Sequence, residues 1–259
     1  LRLQRQSSSA ADKEHQMNAY ELLDKESHKS LKVRAGRGAA LGDSVMHAMT
    51  YPMEFRDVQA NYPILFTRDP ANGAYLATAI FGFEDNENLF LDGDEWLASY
   101  VPAMVRRQPF MIARQTLEGG EERSAVSIDM GHPRVSEDQG EALFTEAGEP
   151  SEFLNSSIDL LHQISQGVDH NRGFIEALIA HELLEAVTLD FTFNDGTKTS
   201  LQGFFTVAEE TLYRLDGETL AALNQAGYLQ PIFMAVASLG QLRALIEKRN
   251  ARALAGRGI

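Results

Sequence analysis

The chain has 259 residues and no cysteine, and its 37 Asp and Glu outweigh 23 Lys and Arg for a formal net charge of −14. Zero cysteine excludes a disulfide framework, a thiolate zinc site, a Cys-ligated iron–sulfur cluster and any Cys nucleophile. The acidic surplus argues against nucleic acid, which needs a basic face, and against anionic lipid, while 44% apolar content fits a folded globular protein.

The longest apolar runs, Tyr75–Phe83 and Pro231–Leu239, fall short of the roughly 18–20 residues that a membrane span needs, so no membrane insertion is expected. The first sixteen residues, LRLQRQSSSAADKEHQ, carry no apolar stretch of the secretory type. Met17 begins a segment that reads like a natural start, so residues 1–16 are expected to be a flexible or vector-derived extension; with no signal or membrane span read, the protein is expected to be cytoplasmic, the alternative being the cell surface by a signal-less route.

Taken in order, Leu31–Arg34 is short and extended. Val45, His47 and Met49 alternate within a strand over Asp43–Tyr51. Pro52 opens a short helix to Asn61. Tyr62–Arg68 and Ala74–Phe83 flank Asp69-Pro70-Ala71-Asn72-Gly73, which predicts a hairpin. Asn88–Asp92 reads as a third strand. Trp96, Leu97, Tyr100, Val101, Met104 and Val105 recur at helical spacing, which predicts a helix over Asp94–Gln108, kinked or delayed by Pro102. Strands follow at Pro109–Leu117 and Arg123–Met130.

The polar stretch His132–Pro150 reads as a surface excursion with one small strand near Ala142–Thr145. Ser151 caps a helix over Glu152–Gln166, and a second helix is expected over His170–Leu184. Val187, Leu189, Phe191 and Phe193 alternate with polar residues. With the turn Asn194-Asp195-Gly196 and the returning Leu201, Gly203, Phe205 and Val207, they predict a second hairpin. Helices at Ala208–Leu215 and Glu218–Ala226 follow, the latter ended by Gly227. A long closing helix is expected over Pro231–Arg252, with residues 253–259 as a tail.

Two stretches echo each other. Gly82-Phe83, Leu91-Asp92-Gly93 and Pro109-Phe110-Met111 parallel Gly203-Phe204, Leu215-Asp216-Gly217 and Pro231-Ile232-Phe233-Met234. The fold class is α+β, mostly antiparallel sheet with packed helices. It is expected as one compact unit over 17–252, with possible similar strand–helix halves at 31–130 and 151–252.

No motif in the chain names a reaction. His181-Glu182-Leu183-Leu184-Glu185 resembles the opening of HExxH, and on a helix His181 and Glu185 would share a face as metal ligands do. The second histidine is missing, so a polar helix end is the simpler reading. Six carboxylates between Glu84 and Glu95 suggest calcium, but an EF-hand register with Gly93 sixth would put Phe90 at a ligand position. Nucleophile elbows and Gly-rich phosphate loops are absent. Arg106 and Arg107, beside Phe110 and following Trp96 and Tyr100, form the one basic and aromatic cluster. Such a set can grip a carboxylate or phosphate, or simply end a helix.

The pieces Leu22-Leu23-Asp24, Asn61-Tyr62-Pro63-Ile64, Tyr100-Val101-Pro102-Ala103 with Arg106-Arg107-Gln108-Pro109-Phe110, and Leu201-Gln202-Gly203-Phe204 occur in one order from about Met17 to Leu245. In that order they resemble the bacterial SapC family, named for a surface-layer-associated protein. The resemblance implies an accessory role near TonB-dependent uptake or halogenase and oxygenase systems, with no catalytic residues and no cofactor to carry over. The expectation is a non-enzymatic protein that binds a protein or peptide partner through Trp96, Tyr100, Arg106, Arg107 and Phe110. The alternatives are a metal-dependent oxygenase-like or hydrolytic enzyme at His181 and Glu185, and an S-layer structural component.

Overall fold

A computed structural model describes residues 20–116 and 122–255. The expected extension over 1–16 and most of the turn between the strands near 117 and 123 lie outside these residues. The chain is an α+β protein whose contacts group into two compact units. One holds the described residues to Gly36 and from Arg107 to His162, and the other Arg37–Arg106 and the residues from Gln163 onward.

In the first unit, β1 (Tyr20–Leu22), β8 (Phe110–Thr116) and β9 (Glu122–Asp129) form an antiparallel sheet in the order β1-β9-β8. Ile112 lies opposite Val126, and Phe110 opposite Ile128. A smaller sheet sets β2 (Lys32–Val33) between β10 (Val135–Ser136) and β11 (Glu141–Ala142). Leu31, Val33, Phe110, Ile128, Leu143, Leu154 and Leu161 make this unit's own core. The last two come from the first turns of the helix Glu152–Ala180, whose Leu154 amide donates to the Ser151 hydroxyl as a cap (3.1 Å).

The second unit is built on a five-stranded antiparallel sheet. Its strands are β3 (His47–Met49), β4 (Ile64–Arg68), β5 (Tyr75–Ile80), β12 (Leu184–Thr192) and β13 (Lys198–Val207), in the order β12-β13-β4-β5-β3. Both expected hairpins are present, β4–β5 and β12–β13. The second turns at Gly196, with φ +84°, and the Asp195 carboxylate accepts from the Thr197 amide (2.9 Å). Over the sheet pack α1 (Phe55–Val58), α2 (Ala103–Arg106), the later turns of α3 (Glu152–Ala180), α4 (Glu209–Tyr213), α5 (Gly217–Gln225), α6 (Leu229–Ser238) and α7 (Gln241–Ala255).

Four expectations are corrected. The helix over Asp94–Gln108 does not form. Gly93, at φ +57°, turns β6 (Leu91–Asp92) back onto β7 (Glu95–Trp96), and only Ala103–Arg106 is helical. Pro102 cannot sit inside a helix, and here it opens one, its carbonyl accepting from Val105 and Arg106. The two helices over 152–166 and 170–184 are one helix of 29 residues, α3.

That helix stops at Ala180 rather than Leu184. Glu182 takes φ +53°, its amide donates to Ile179 O (3.1 Å), and the Leu183 amide donates to Leu178 O (2.8 Å). This is the Schellman arrangement with glutamate where glycine is usual. The closing helix is two helices separated at Leu239–Gly240, and α7 runs to Ala255, into the expected tail. By length and composition Leu229–Ala255 is apolar enough to cross a membrane. In this fold Ile232, Ala235, Ser238 and Leu245 of that segment are buried in the second unit.

The echoing stretches diverge after their shared Leu-Asp-Gly. In the first, Gly93 leads into β7; in the second, Asp216 caps α5 by accepting from the Thr219 amide (2.7 Å).

Candidate functional site

Within the second unit, Tyr51-Pro52-Met53-Glu54-Phe55 carries a carboxylate in an otherwise apolar string. Pro52 starts a 3₁₀ turn over Pro52–Glu54 that leads into α1. This buries the Glu54 side chain, leaving the residue 6% exposed. A buried carboxylate must be hydrogen-bonded. Glu54 accepts from the Thr50 hydroxyl (2.8 Å), the Tyr100 hydroxyl (2.7 Å) and the Ala103 amide (3.0 Å). It therefore fixes both Tyr100 and the start of α2.

A second set of bonds holds Tyr100 from the backbone side. The Trp96 indole donates to the Tyr62 hydroxyl (2.7 Å), which donates to the Tyr100 carbonyl. Tyr62 is fully buried among Phe81 and Phe90, both edge-on to it. Burial pushes the Tyr62 phenol above its usual range, and the Trp96 indole N–H partly opposes this. Tyr100 is raised too, by burial first and then by the negative charge of Glu54. Both phenols stay protonated near neutrality and act as hydrogen-bond donors.

The Arg106 guanidinium lies 5.5 Å from the centre of the Tyr100 ring, a cation–π distance. These groups line an open cavity of about 130 Å³ with Tyr51, Met53, Asp57, Gln163 and Ile164. Met53 is 55% exposed. What the site offers is a fixed aromatic face, a guanidinium and a thioether.

The sequence cluster is thus divided. Trp96, Tyr100 and Arg106 come together. Arg107 and Phe110 belong to the first unit, where Arg107 donates to the Phe110 carbonyl (2.6 Å). Phe110 is 1% exposed and packs in the core, its ring 6.3 Å from that of Phe153, so it cannot serve as a surface contact. Glu54, Thr50, Met53 and Tyr62 were not singled out from sequence; the lone acid in YPMEF is the signal that could have found Glu54.

His181 and Glu185 do not share a helix face, because α3 has ended: His181 lies in the turn and Glu185 on β12, opposite Thr206. Among the described residues no group of three or more His, Asp and Glu side chains is arranged to hold a metal ion. Within the acidic run, Glu87 and the neighbouring Asn88 serve the fold. Glu87 accepts from the Phe83 amide (2.8 Å) and pairs with Arg249 (3.4 Å), while buried Asn88 donates to Asp43 O and accepts from the Phe90 amide. The basic residues near the C-terminus also have partners, beyond any effect on the helix dipole. Arg252 donates to the carbonyls of Asn88 (3.0 Å) and Leu91 (2.5 Å), and Lys248 lies over the Phe90 ring.

A family model described as SapC matches residues 23–245 of the chain. The chain belongs to the SapC family. No curated protein and no solved structure matches it. The matched span takes in every residue of the Glu54–Tyr100–Arg106 site.

Proposed function

We propose that this SapC-family protein is an accessory protein that docks a protein or peptide partner on the face formed by Met53, Tyr100 and Arg106. The observation that carries this reading is the Arg106 guanidinium, exposed over the Tyr100 ring, whose hydroxyl is tied to a buried carboxylate. Rigid aromatic and arginine groups at the edge of a cavity lose little entropy when a partner binds and supply most of the energy in protein interfaces. Tyr100 is a poor acid or base at neutral pH, and Glu54 already accepts three hydrogen bonds, which favours recognition over proton transfer.

The test is a photo-crosslinking residue at position 53 in cells, with one at exposed Glu218 as control. A defined partner should be trapped at 53, not at 218, and Arg106→Ala should abolish the trapping while the fold is kept. No cross-link at 53, or one indifferent to Arg106, overturns the reading. Cell fractionation tests the compartment, since protein found only at the surface would favour the S-layer role over a cytoplasmic accessory.

A further inference from the structure

Met53 borders a second cavity as well. On its other side lies a space of about 220 Å³ lined by Pro52, Arg56, His170, Pro231 and Met234 among others. The exposed thioether is therefore a ridge between two recesses of the same unit, with Arg106 in one and Arg56 in the other. Both arginines are exposed, and neither lies within ion-pair distance of a carboxylate among the described residues. They share this lack of an ion pair with Arg34, Arg68, Arg107, Arg172 and Arg252, so what sets them apart is their place on either side of the exposed Met53.

The ridge also packs close against α3. A Cβ on Gly167 of α3 would lie 2.8 Å from the Met53 sulfur and 3.3 Å from Tyr51 Cγ. A Cβ on Gly173 would lie 2.3 Å from the Tyr228 hydroxyl, and the Tyr228 ring stands 5.4 Å from that of His170 in the second cavity. Two glycines of one helix thus leave room for residues beside both recesses to pack against it.

We infer that the docking face is bipartite and takes an extended peptide segment whose apolar side chain crosses Met53 while two flanking carboxylates meet Arg56 and Arg106. The inference rests on the docking role proposed above and names the class of segment docked. Glu54 and Asp57 also line the first recess, so the face offers no general attraction to a polyanion. Selection must come from carboxylates placed on the two guanidinium forks, which is a matter of spacing rather than of total charge.

The probe is a panel of fluorescein-labelled synthetic peptides of one composition, two Glu with Leu and Ser, differing only in the number of residues between the acids. Fluorescence anisotropy with the full chain should show an affinity maximum at one spacing. Arg56→Ala and Arg106→Ala should each weaken that peptide about tenfold and flatten the dependence on spacing. Binding that is independent of spacing, no binding at all, or binding that Arg106→Ala reduces but Arg56→Ala leaves alone each overturns the bipartite site. In all three the docking role itself still stands or falls on the cross-link at position 53.

Discussion

Replacing Glu54 tests the network beneath the site. In Glu54→Ala three donors lose their acceptor at once. The Ala103 amide is the most costly, because Ala103 is buried and its N–H is fixed by the backbone at the start of α2. The Thr50 hydroxyl, on a residue 1% exposed, can turn toward another acceptor, and the half-exposed Tyr100 hydroxyl can reach water in the adjoining cavity. Counting one orphaned buried donor in full and the other two in part gives a loss of about 3 kcal/mol. Glu54→Gln keeps the shape. Its amide oxygen can face Tyr100 and Ala103, and its NH₂ can donate to a reoriented Thr50 hydroxyl. Only the charge assistance is lost, about 1 kcal/mol. The chain has a single tryptophan, Trp96, in the same hydrogen-bonded network, so urea unfolding followed by its fluorescence reports on this unit. A Glu54→Ala loss under about 0.5 kcal/mol, or a glutamine variant as damaged as the alanine one, would refute the account.

Three further outcomes follow from single contacts. Gly173→Ala should destabilise the second unit by about 1–3 kcal/mol through its collision with the Tyr228 hydroxyl, and adding Tyr228→Phe should recover most of that loss in thermal melts, since only the oxygen lies closer than 3.4 Å. Glu182→Gly should raise stability by about 0.5–1 kcal/mol, because the position needs a left-handed backbone and the glutamate there is exposed; a neutral or negative effect in urea titration counts against the Schellman end of α3. The Asp216 carboxyl is held below its usual 3.8, first by the Thr219 backbone amide and then by the Thr219 side chain. Its folded value is depressed, so the cap's contribution is present above about 3.8, the unfolded value, and is lost as pH falls through the lower folded value. NMR titration should give an Asp216 midpoint under 3.8, and a midpoint at or above it removes the cap from the account.

The hairpins were legible because their signals are local. Alternation over Val187–Phe193 and the Asn194-Asp195-Gly196 turn specify both the strands and their connection within about twenty residues. Gly227 was legible for the same reason: at φ +76° it closes α5, with the Tyr228 amide donating to Leu223 O. The failures share the opposite cause. Trp96, Tyr100 and Val105 recur at helical spacing, yet Trp96 and Tyr100 are drawn to Tyr62 and Glu54, more than thirty residues away in sequence. Helical propensity over such a stretch is worth tenths of a kcal/mol per residue, which long-range hydrogen bonds and Pro102 outweigh. At Gly167 α3 runs on unbroken, and a Cβ there would come within 2.8 Å of the Met53 sulfur and 3.3 Å of Tyr51 Cγ.

The candidate site shows how far adjacency in sequence can mislead. Arg106 and Arg107 are neighbours, yet the backbone leaves α2 between them and the two guanidinium groups end in different units, one over the Tyr100 ring and one on the Phe110 carbonyl. A basic dipeptide at the end of a short helix therefore says little about a site until the acceptors are known. The reverse holds for Glu54. An acid in an apolar string is costly to bury, so burial at that position requires donors that the string itself does not supply. Thr50 sits four residues before it, but the Tyr100 hydroxyl and the Ala103 amide come from nearly fifty residues downstream. That demand ties the Pro52 turn to α2 and, through Tyr100, sets where Arg106 can lie. The chemistry of the face is thus decided by a residue that is itself buried.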